Sequence, residues 1–142
     1  MKHQISTSIS INADIETVWR IFTNFKDYPN WNPFIKSITG PITVGEKFSA
    51  KIGNMNFNPT TKVFKEHEEF TWLGKLFVPG IFDGRHSFIF QTNEDGQTIL
   101  TQKEQFNGIL VRLMKRKLDT EIVAEFNLMN EKLKQLAENE SH

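Results

Sequence analysis

One histidine, one carboxylate and one side-chain amide lie on two runs of alternating residues, where together they could support proton transfer. His86 belongs to the run from Gly84 to Thr92, and Gln102 and Glu104 belong to the run from Thr98 to Phe106. Side chains two residues apart on a strand point to the same face, so Gln102 and Glu104 share a face. A histidine beside a glutamate among apolar side chains is typical of sites that perform general acid and base catalysis. His86 and Glu104 are therefore weak candidates for catalytic residues.

Whether these side chains meet depends on the register of the two strands. A turn around Asp95-Gly96 joins them, so we expect them to pair as neighbours. A bulge or a connection of odd length places His86 opposite Glu104 and Phe88 opposite Gln102, whereas a connection of even length places them on opposite faces. In the first case His86 and Glu104 would satisfy each other, because an unpaired buried charge is costly. The alternative to catalysis is a polar pair that orients the sheet or the polar end of a ligand.

Other chemical motifs are weak or missing from the sequence. His67-Glu68-Glu69 begins like the helical motif of zinc proteases, but Thr71 stands where the second histidine is needed, and the segment is typical of a turn. The four histidines show no metal-ligand spacing, and there is no cysteine. The sequence has no nucleophile-elbow serine, phosphate-binding glycine loop or dinucleotide fingerprint. We predict no metal and no cofactor. The one basic cluster is interpreted as a solvated face and consists of Arg112, Lys115, Arg116 and Lys117.

Length and charge bound the class of protein. The 142 residues predict a single domain over residues 1–142, long enough to bury a core. Seventeen Lys and Arg residues balance seventeen Asp and Glu residues, which argues against nucleic acid or anionic membranes as partners. The first ten residues lack the apolar run of a signal peptide, and no stretch has the roughly 20 apolar residues of a membrane helix. We expect a cytoplasmic protein without stable membrane insertion, as a monomer or a weak homodimer.

The chain is predicted to begin with one strand and two short helices. Isoleucines alternate with polar residues from His3 to Asn12, which predicts a strand with its odd positions inward. Asp14 can cap the helix that follows. The stiff sequence DYPNWNP, residues 27–33, comes next, and Pro29 suits the first turn of a second helix. Trp31 is interpreted as the packing anchor of this segment, either in the core or in the wall of a cavity.

Strands and one long helix are predicted for the rest of the chain. The strands, expected to form an antiparallel meander, are Ile35 to Thr39, Lys47 to Ile52, Met55 to Lys65, Phe70 to Phe77, Arg85 to Thr92 and Thr98 to Phe106. Pro59 lies inside the third run, which is therefore an edge strand there or is bulged. Apolar residues at steps of three and four predict an amphipathic helix that begins near Asp119 or a turn or two earlier. It is the only predicted element long enough to cover the apolar face of the sheet.

The residues at many of these positions resemble the START-related SRPBCC superfamily, which includes polyketide cyclase/dehydrase-like proteins. The resemblance is carried by Ala13-Asp14, Val18-Trp19, Asp27-Tyr28-Pro29, Trp31, Pro33, Trp72-Leu73-Gly74, His86-Ser87-Phe88, residues 104–108, residues 126–130 and Leu133-Lys134. It implies an α+β helix-grip fold: a curved seven-stranded antiparallel sheet wrapped around a long C-terminal helix, with two short helices between strands 1 and 2. An internal cavity between sheet and helix is implied as well, with Glu104 at an inward position.

The alternation along the strands and the apolar stripe of the helix predict which residues surround that cavity. The ligand-binding candidates are Trp31, Phe48, Ala50, Trp72, His86, Phe88, Phe90, Gln102, Glu104, Ile122, Phe126 and Met129. Most are expected to be ordinary core, and only a fraction to border the cavity. Small residues at inward positions, Ala50 and Gly74, mark where we expect open space. The apolar loop from Leu76 to Phe82 is interpreted as a lid, a dimer contact or plain packing against the last helix.

Three classes of function follow from these residues and this resemblance. The first, which we favour, is binding of a small, largely apolar molecule, lipid-, polyketide- or aromatic-like, with His86, Gln102 and Glu104 available for hydrogen bonds. The second is a cyclase/dehydratase-type enzyme that uses the His86–Glu104 pair as general acid and base. The third is binding of a chaperone or another protein partner, for which the residues from Phe77 to Phe82 would matter most.

Overall fold

Strands and a long C-terminal helix make up most of the chain. The computed structural model describes residues 2–76 and 80–140. The strands are β1 (Lys2–Ile11), β2 (Ile35–Thr39), β3 (Ser49–Ile52), β4 (Met55–Phe57), β5 (Thr60–Lys65), β6 (Glu69–Leu76), β7 (Phe82–Thr92) and β8 (Thr98–Asn107). The helices are α1 (Ile15–Thr23), α2 (Tyr28–Trp31), α3 (Val111–Lys117) and α4 (Val123–Glu140). A 3₁₀ turn (Phe25–Asp27) precedes α2, and a π-helical turn (Leu118–Ile122) joins α3 to α4.

The strands form two antiparallel sheets. The larger has the order β1-β8-β7-β6-β5, and the smaller has the order β2-β3-β4. An isolated bridge between Lys47 and Thr60 joins them, together with a 3.0 Å hydrogen bond from the Phe48 N–H to the Pro59 carbonyl oxygen. The α+β helix-grip fold is confirmed, with eight strand segments among the described residues instead of seven. The predicted strand from Met55 to Lys65 is broken ahead of Pro59, because proline has no N–H for a ladder.

The register of β7 and β8 follows the odd-length alternative of the prediction. Thr92 pairs with Thr98, so five residues connect the two strands. His86 lies opposite Glu104, and Phe88 lies opposite Gln102, as predicted for that case. The inward faces of both strands are therefore in phase, which brings a histidine, an amide and a carboxylate onto one surface.

The sequence DYPNWNP connects α1 to β2 through specific hydrogen bonds. Tyr28 is fully buried and its hydroxyl donates a 2.5 Å hydrogen bond to the Phe22 carbonyl oxygen. Burial raises the pKa of Tyr28 well above its usual value. Asn32 Oδ1 accepts hydrogen bonds from the backbone N–H groups of Phe34 (2.9 Å) and Ile35 (2.8 Å), which sets the start of β2. Pro29 occupies the first turn of α2, as predicted.

The cap of α1 is also confirmed. Asp14 Oδ1 accepts a 2.7 Å hydrogen bond from the Thr17 N–H. Interaction with the Thr17 side chain, followed by this backbone bond, lowers the pKa of Asp14 below its usual value. The capped helix then buries Val18, Trp19 and Phe22 against the sheet. At this end of the molecule the Phe22 ring packs 4.8 Å from Phe88, centroid to centroid.

The C-terminal helix begins at Val111, about two turns before Asp119 and within the predicted range. Its apolar stripe is buried at Leu118, Phe126, Met129 and Leu133. The π-helical turn begins at Leu118, which lies on this stripe, and the backbone stays helical through it. Across the described residues, no helix combines the length and the apolar character that a membrane span requires.

Candidate functional site

A cavity of about 500 Å³ lies between the larger sheet, the smaller sheet and the C-terminal helix. The larger sheet contributes Trp72, Gly74, Phe82, Gly84, His86, Glu104 and Phe106. The smaller sheet and its flanking turns contribute Pro33, Phe34, Lys36, Ile52, Gly53, Met55, Phe57 and Pro59. The helix contributes Met114, Lys117, Leu118, Glu121, Ile122 and Glu125. Most of this wall is apolar, and its charged groups are few.

Two glycines on paired strands shape the floor of the cavity. Gly74 and Gly84 lie opposite each other in β6 and β7. A Cβ atom on Gly74 would meet nothing closer than the Gly84 carbonyl oxygen at 4.0 Å, so the space above Gly74 is open. A Cβ atom on Gly84 would lie 2.3 Å from Glu104 Oε2. Glycine at position 84 is therefore what allows the Glu104 carboxylate to lie over this strand.

His86 lies at the inner end of the cavity, and its side chain is only 1% exposed. Its Nε2 atom is 2.9 Å from Gln102 Oε1, and its Nδ1 atom is 3.3 Å from Glu104 Oε1. The imidazole ring is surrounded by aromatic rings, with centroids 4.6 Å away for Phe88 and 4.8 Å away for Trp72. Both ring nitrogens therefore face polar atoms, while the ring faces contact apolar groups.

A chain of buried hydrogen bonds continues from Gln102 into the C-terminal helix. Gln102 Nε2 donates to Asn130 Oδ1 at 2.8 Å and lies 3.4 Å from the Phe126 carbonyl oxygen. Asn130 Nδ2 donates to the Thr7 hydroxyl at 2.9 Å, and that hydroxyl donates to the Gln102 carbonyl oxygen at 3.2 Å. These bonds link β1, β8 and α4, so they fix the positions of the side chains behind His86.

The structure brings four of the proposed site residues into the cavity wall: Trp72, His86, Glu104 and Ile122. Gln102 and Phe126 lie directly behind His86 and contact it. The other candidates lie outside the wall: Trp31, Phe48, Ala50, Phe88, Phe90 and Met129. Gly74 borders the cavity as expected, whereas Ala50 is buried in β3 opposite Phe57.

Trp31 lies away from the cavity and against the core. Its ring packs 5.2 Å from that of Tyr28, and the side chain is partly buried. Its Nε1 atom is buried without a hydrogen-bond partner among the described residues. This placement corresponds to the first of the two interpretations of Trp31, a packing anchor in the core and not in the wall of the cavity.

Sequence reasoning missed the part of the wall that comes from turns and from the start of the helix. Pro33, Pro59 and Met114 belong to this group. Gly84 could have been predicted as part of the wall, because it lies two residues before His86 and therefore on the same inward face of the strand. Sequence reasoning also missed Thr7 and Asn130, although both occupy inward positions of predicted elements.

The apolar loop before β7 is described only in part. The lid, the dimer contact and the protein-partner site were predicted for the segment from Leu76 to Phe82, of which Phe77, Val78 and Pro79 lie outside the described residues. The carbonyl oxygens of Gly80 and Ile81 accept hydrogen bonds from Ile109 and Leu110 at the start of the C-terminal helix. The described end of the loop thus packs against this helix, and Phe82 reaches the cavity.

The His67-Glu68-Glu69 segment and the basic cluster, both interpreted from the sequence as having no catalytic role, lie in the surroundings predicted for them. His67 lies in a turn with a φ of 65°, so the segment is not a zinc-protease helix. The side chains of the basic cluster are exposed, and Lys117 also lines the cavity. Within residues 2–76 and 80–140, no three His, Asp or Glu side chains converge as a metal site would require.

Sequence comparison identifies the family. Residues 2–138 match the sequence model of the family described as polyketide cyclase / dehydrase and lipid transport. The chain belongs to this family. A search of curated proteins gives no match.

Solved structures share the fold with this polyketide cyclase / dehydrase and lipid transport family member. A START superfamily protein from Mycobacterium smegmatis is 19% identical with a TM-score of 0.71, covering 96% of this chain and 98% of that one. The di-domain ARO/CYC StfQ from the steffimycin biosynthetic pathway is 9% identical with a TM-score of 0.77, covering 99% of this chain and 52% of that one. Hypothetical protein jhp0584 from Helicobacter pylori is 8% identical with a TM-score of 0.82, covering 95% of this chain and 88% of that one. At these identities the comparison shows the fold alone.

Proposed function

We propose that this protein binds a small, largely apolar molecule, lipid-, polyketide- or aromatic-like, in the cavity between the sheets and the C-terminal helix. The observation that carries the proposal is the open space of about 500 Å³ above Gly74. Partly open, mostly apolar pockets of this size are typical of small-molecule sites, whereas close-packed protein interiors leave little empty space.

The lining of the cavity supports an apolar body with few polar groups. Apolar side chains from three directions, such as Trp72, Met55 and Leu118, surround the space. The polar atoms at the inner end belong to His86 and Glu104. A mostly apolar wall with a few fixed polar groups is the usual composition of small-molecule sites, because burial supplies affinity and the polar groups supply orientation.

Filling the cavity tests this proposal directly. Gly74→Leu places a side chain in the open space, and Lys75→Leu adds the same side chain at the next position of β6, where Lys75 is exposed. N-phenyl-1-naphthylamine, a neutral apolar probe whose fluorescence rises in apolar surroundings, is titrated into each variant. We expect the wild-type protein and Lys75→Leu to bind the probe equally, and Gly74→Leu to bind it at least tenfold more weakly.

Equal binding by all three proteins, or no binding by the wild type, would contradict the proposal. Native mass spectrometry of freshly purified protein, followed by solvent extraction, then identifies any molecule that occupies the cavity. A bound molecule that is present in Lys75→Leu and missing from Gly74→Leu would give its chemical class.

A second candidate function is a cyclase/dehydratase-type reaction on a polyketide-like substrate. The separation of 3.3 Å between His86 Nδ1 and Glu104 Oε1, in the wall of the cavity, favours it. Such a pair can exchange a proton with a substrate that lies within hydrogen-bond reach. If a reaction occurs, Glu104→Gln lowers its rate by about a hundredfold or more while a substrate analogue still binds. If Glu104 only binds the ligand, Glu104→Gln changes the affinity for the ligand, and no reaction is detected with the wild-type protein.

A further inference from the structure

We propose that the ligand carries a hydrogen-bond donor, a hydroxyl or an N–H, at the end of its apolar body, and that this group donates to Glu104 Oε2. This inference rests on the proposed function and specifies which polar group the bound molecule carries. It excludes two other classes of apolar ligand, those that end in a carboxylate and those that end in an acceptor alone.

The first step is the direction of the hydrogen bonds behind His86. Gln102 Nε2 faces two oxygen acceptors, Asn130 Oδ1 at 2.8 Å and the Phe126 carbonyl oxygen at 3.4 Å. A backbone carbonyl can only accept, so the nitrogen of the Gln102 amide must point to the helix and its oxygen to His86. The His86 Nε2 atom, 2.9 Å from that oxygen, therefore carries a hydrogen and donates it.

The second step is what His86 offers to Glu104. Since Nε2 donates to Gln102, the only ring nitrogen left for Glu104 is Nδ1, which lies 3.3 Å from Glu104 Oε1. Glu104 therefore faces His86 through Oε1. The other carboxylate oxygen, Oε2, has lone pairs that can accept a hydrogen bond from a further partner.

The third step is the surroundings of Oε2. This atom lies over Gly84, at a position that a Cβ atom would exclude, and both Gly84 and Glu104 line the cavity. Within residues 2–76 and 80–140, no backbone or side-chain group donates a hydrogen bond to Oε2. The Glu104 side chain is 15% exposed, and it is part of the cavity wall. A ligand that fills the apolar space thus meets an acceptor, and leaving that acceptor unpaired costs affinity.

The remaining charges of the cavity disfavour an anionic ligand. Glu121 and Glu125 line the cavity together with Glu104, against two lysines. Lys36 Nζ already donates to the Pro33 carbonyl oxygen at 2.9 Å, and Lys117 Nζ lies 3.9 Å from Glu121. A ligand carboxylate would find both of these lysines already paired and would lie close to the Glu104 carboxyl group, so an alcohol, a phenol or an amide N–H fits better than a fatty acid.

Three naphthalene probes of similar shape separate these classes. 2-Naphthol has a donor, 2-methoxynaphthalene has an acceptor alone, and 2-naphthoate is an anion. We expect the wild-type protein to bind 2-naphthol at least tenfold more tightly than either of the others, because a hydrogen bond to a charged group is typically worth about that much. The measurement is isothermal titration calorimetry at neutral pH and constant ionic strength.

Two variants show whether Oε2 is the acceptor. Glu104→Leu removes the carboxylate, and Gly84→Ala keeps it but displaces it. Both should bring 2-naphthol to the affinity of 2-methoxynaphthalene, whereas Gln105→Leu, the neighbour on the opposite face of β8, should keep the preference. Thermal unfolding checks that each variant is folded. The comparison of the three probes on the wild-type protein tests the ligand class even if a variant does not fold.

The outcomes separate this inference from the function on which it rests. If 2-methoxynaphthalene or 2-naphthoate binds the wild-type protein as tightly as 2-naphthol, the inference is overturned and the binding function stands. If 2-naphthol is preferred and both Glu104→Leu and Gly84→Ala, correctly folded, keep that preference, the donor does not go to Oε2. If none of the three probes binds while N-phenyl-1-naphthylamine does, the inference is overturned and the binding function stands. If N-phenyl-1-naphthylamine does not bind either, the proposed function fails as well.

Discussion

Gln102 and Asn130, one on the sheet and one on the C-terminal helix, are joined by a 2.8 Å hydrogen bond in a fully buried environment. The same Gln102 side chain accepts from His86, so one amide serves both the helix and the site residue. Buried polar groups of this kind specify how two elements pack, because leaving any member unpaired is costly.

Replacing Gln102 with an apolar residue should therefore destabilise the fold, even though the new side chain suits a buried position. Gln102→Leu leaves the His86 N–H and Asn130 Oδ1 without partners, and we expect a loss of about 1–3 kcal/mol in the free energy of unfolding. The matched control is Gln91→Leu, an exposed position on β7, with an expected change of about 0.5 kcal/mol or less. Urea unfolding at neutral pH measures both. Equal effects of the two changes would show that the buried hydrogen bonds contribute little.

The cap of α1 predicts a dependence of stability on pH. The folded-state pKa of Asp14 is lowered, so its contribution is present above its unfolded-state pKa, near the usual value of 3.8, and is lost as the pH falls through the folded value. Asp14→Asn caps nearly as well but does not titrate, and Asp14→Ala removes a cap worth about 1 kcal/mol.

Unfolding at pH 7 and at pH 2.5 distinguishes the three proteins. The advantage of the wild type over Asp14→Ala should shrink at pH 2.5, while the advantage of Asp14→Asn over Asp14→Ala should stay the same. A constant advantage of the wild type at both pH values would show that the carboxylate charge does not contribute to the cap.

Close backbone approach makes Gly108 irreplaceable in a way that other turn glycines are not. Gly108 has a φ of +131°, and a Cβ atom there would lie 2.3 Å from the Ile81 carbonyl oxygen. Gly45 also has a positive φ, of +90°, but a Cβ atom there would meet nothing within 4 Å. Gly45→Ala should cost about 1–3 kcal/mol from backbone strain alone, and Gly108→Ala clearly more. Thermal and urea unfolding of the pair tests this, and equal losses would contradict the role of the contact with Ile81.

The packed end of the molecule should tolerate loss of an aromatic ring without loss of binding. Phe90 packs 4.9 Å from Phe22 and 5.2 Å from Trp19, away from the cavity. We expect Phe90→Ala to lower the free energy of unfolding by about 3–5 kcal/mol but to leave the affinity for N-phenyl-1-naphthylamine unchanged within twofold. Trp72→Ala, which removes part of the cavity wall, should markedly lower the affinity for this probe. A parallel fall in affinity for Phe90→Ala would place Phe90 in the binding site.

The contrast between Phe90 and His86 shows how far the sequence could predict this site. Alternation along a strand tells which face a side chain occupies, and it correctly placed His86, Phe88 and Phe90 on one face. It does not tell how far along the strand another element covers that face. Helix α1 covers the end with Phe88 and Phe90, so they are core, and the end with His86 is left open.

The register of β7 and β8 was predictable only as a pair of alternatives. The parity of the turn decides between them, and the boundaries of strands flanking a turn around Asp95-Gly96 shift easily by one residue. The break ahead of Pro59 was predictable in kind, since proline cannot donate to a ladder. That the break would give two sheets, with Pro59 itself in the cavity wall, depends on contacts between distant segments and could not be predicted from a local pattern.

Strand β4 has a kinetic consequence for any molecule in the cavity. It is three residues long, pairs with β3 alone among the described strands, and carries Met55 and Phe57 in the cavity wall. Passage through the larger sheet would require separating ladders of five to ten residue pairs, whereas passage beside β4 requires separating three. Changes that loosen β4 are therefore expected to raise the association and dissociation rates of a bound molecule together, because a lower barrier to passage acts equally in both directions.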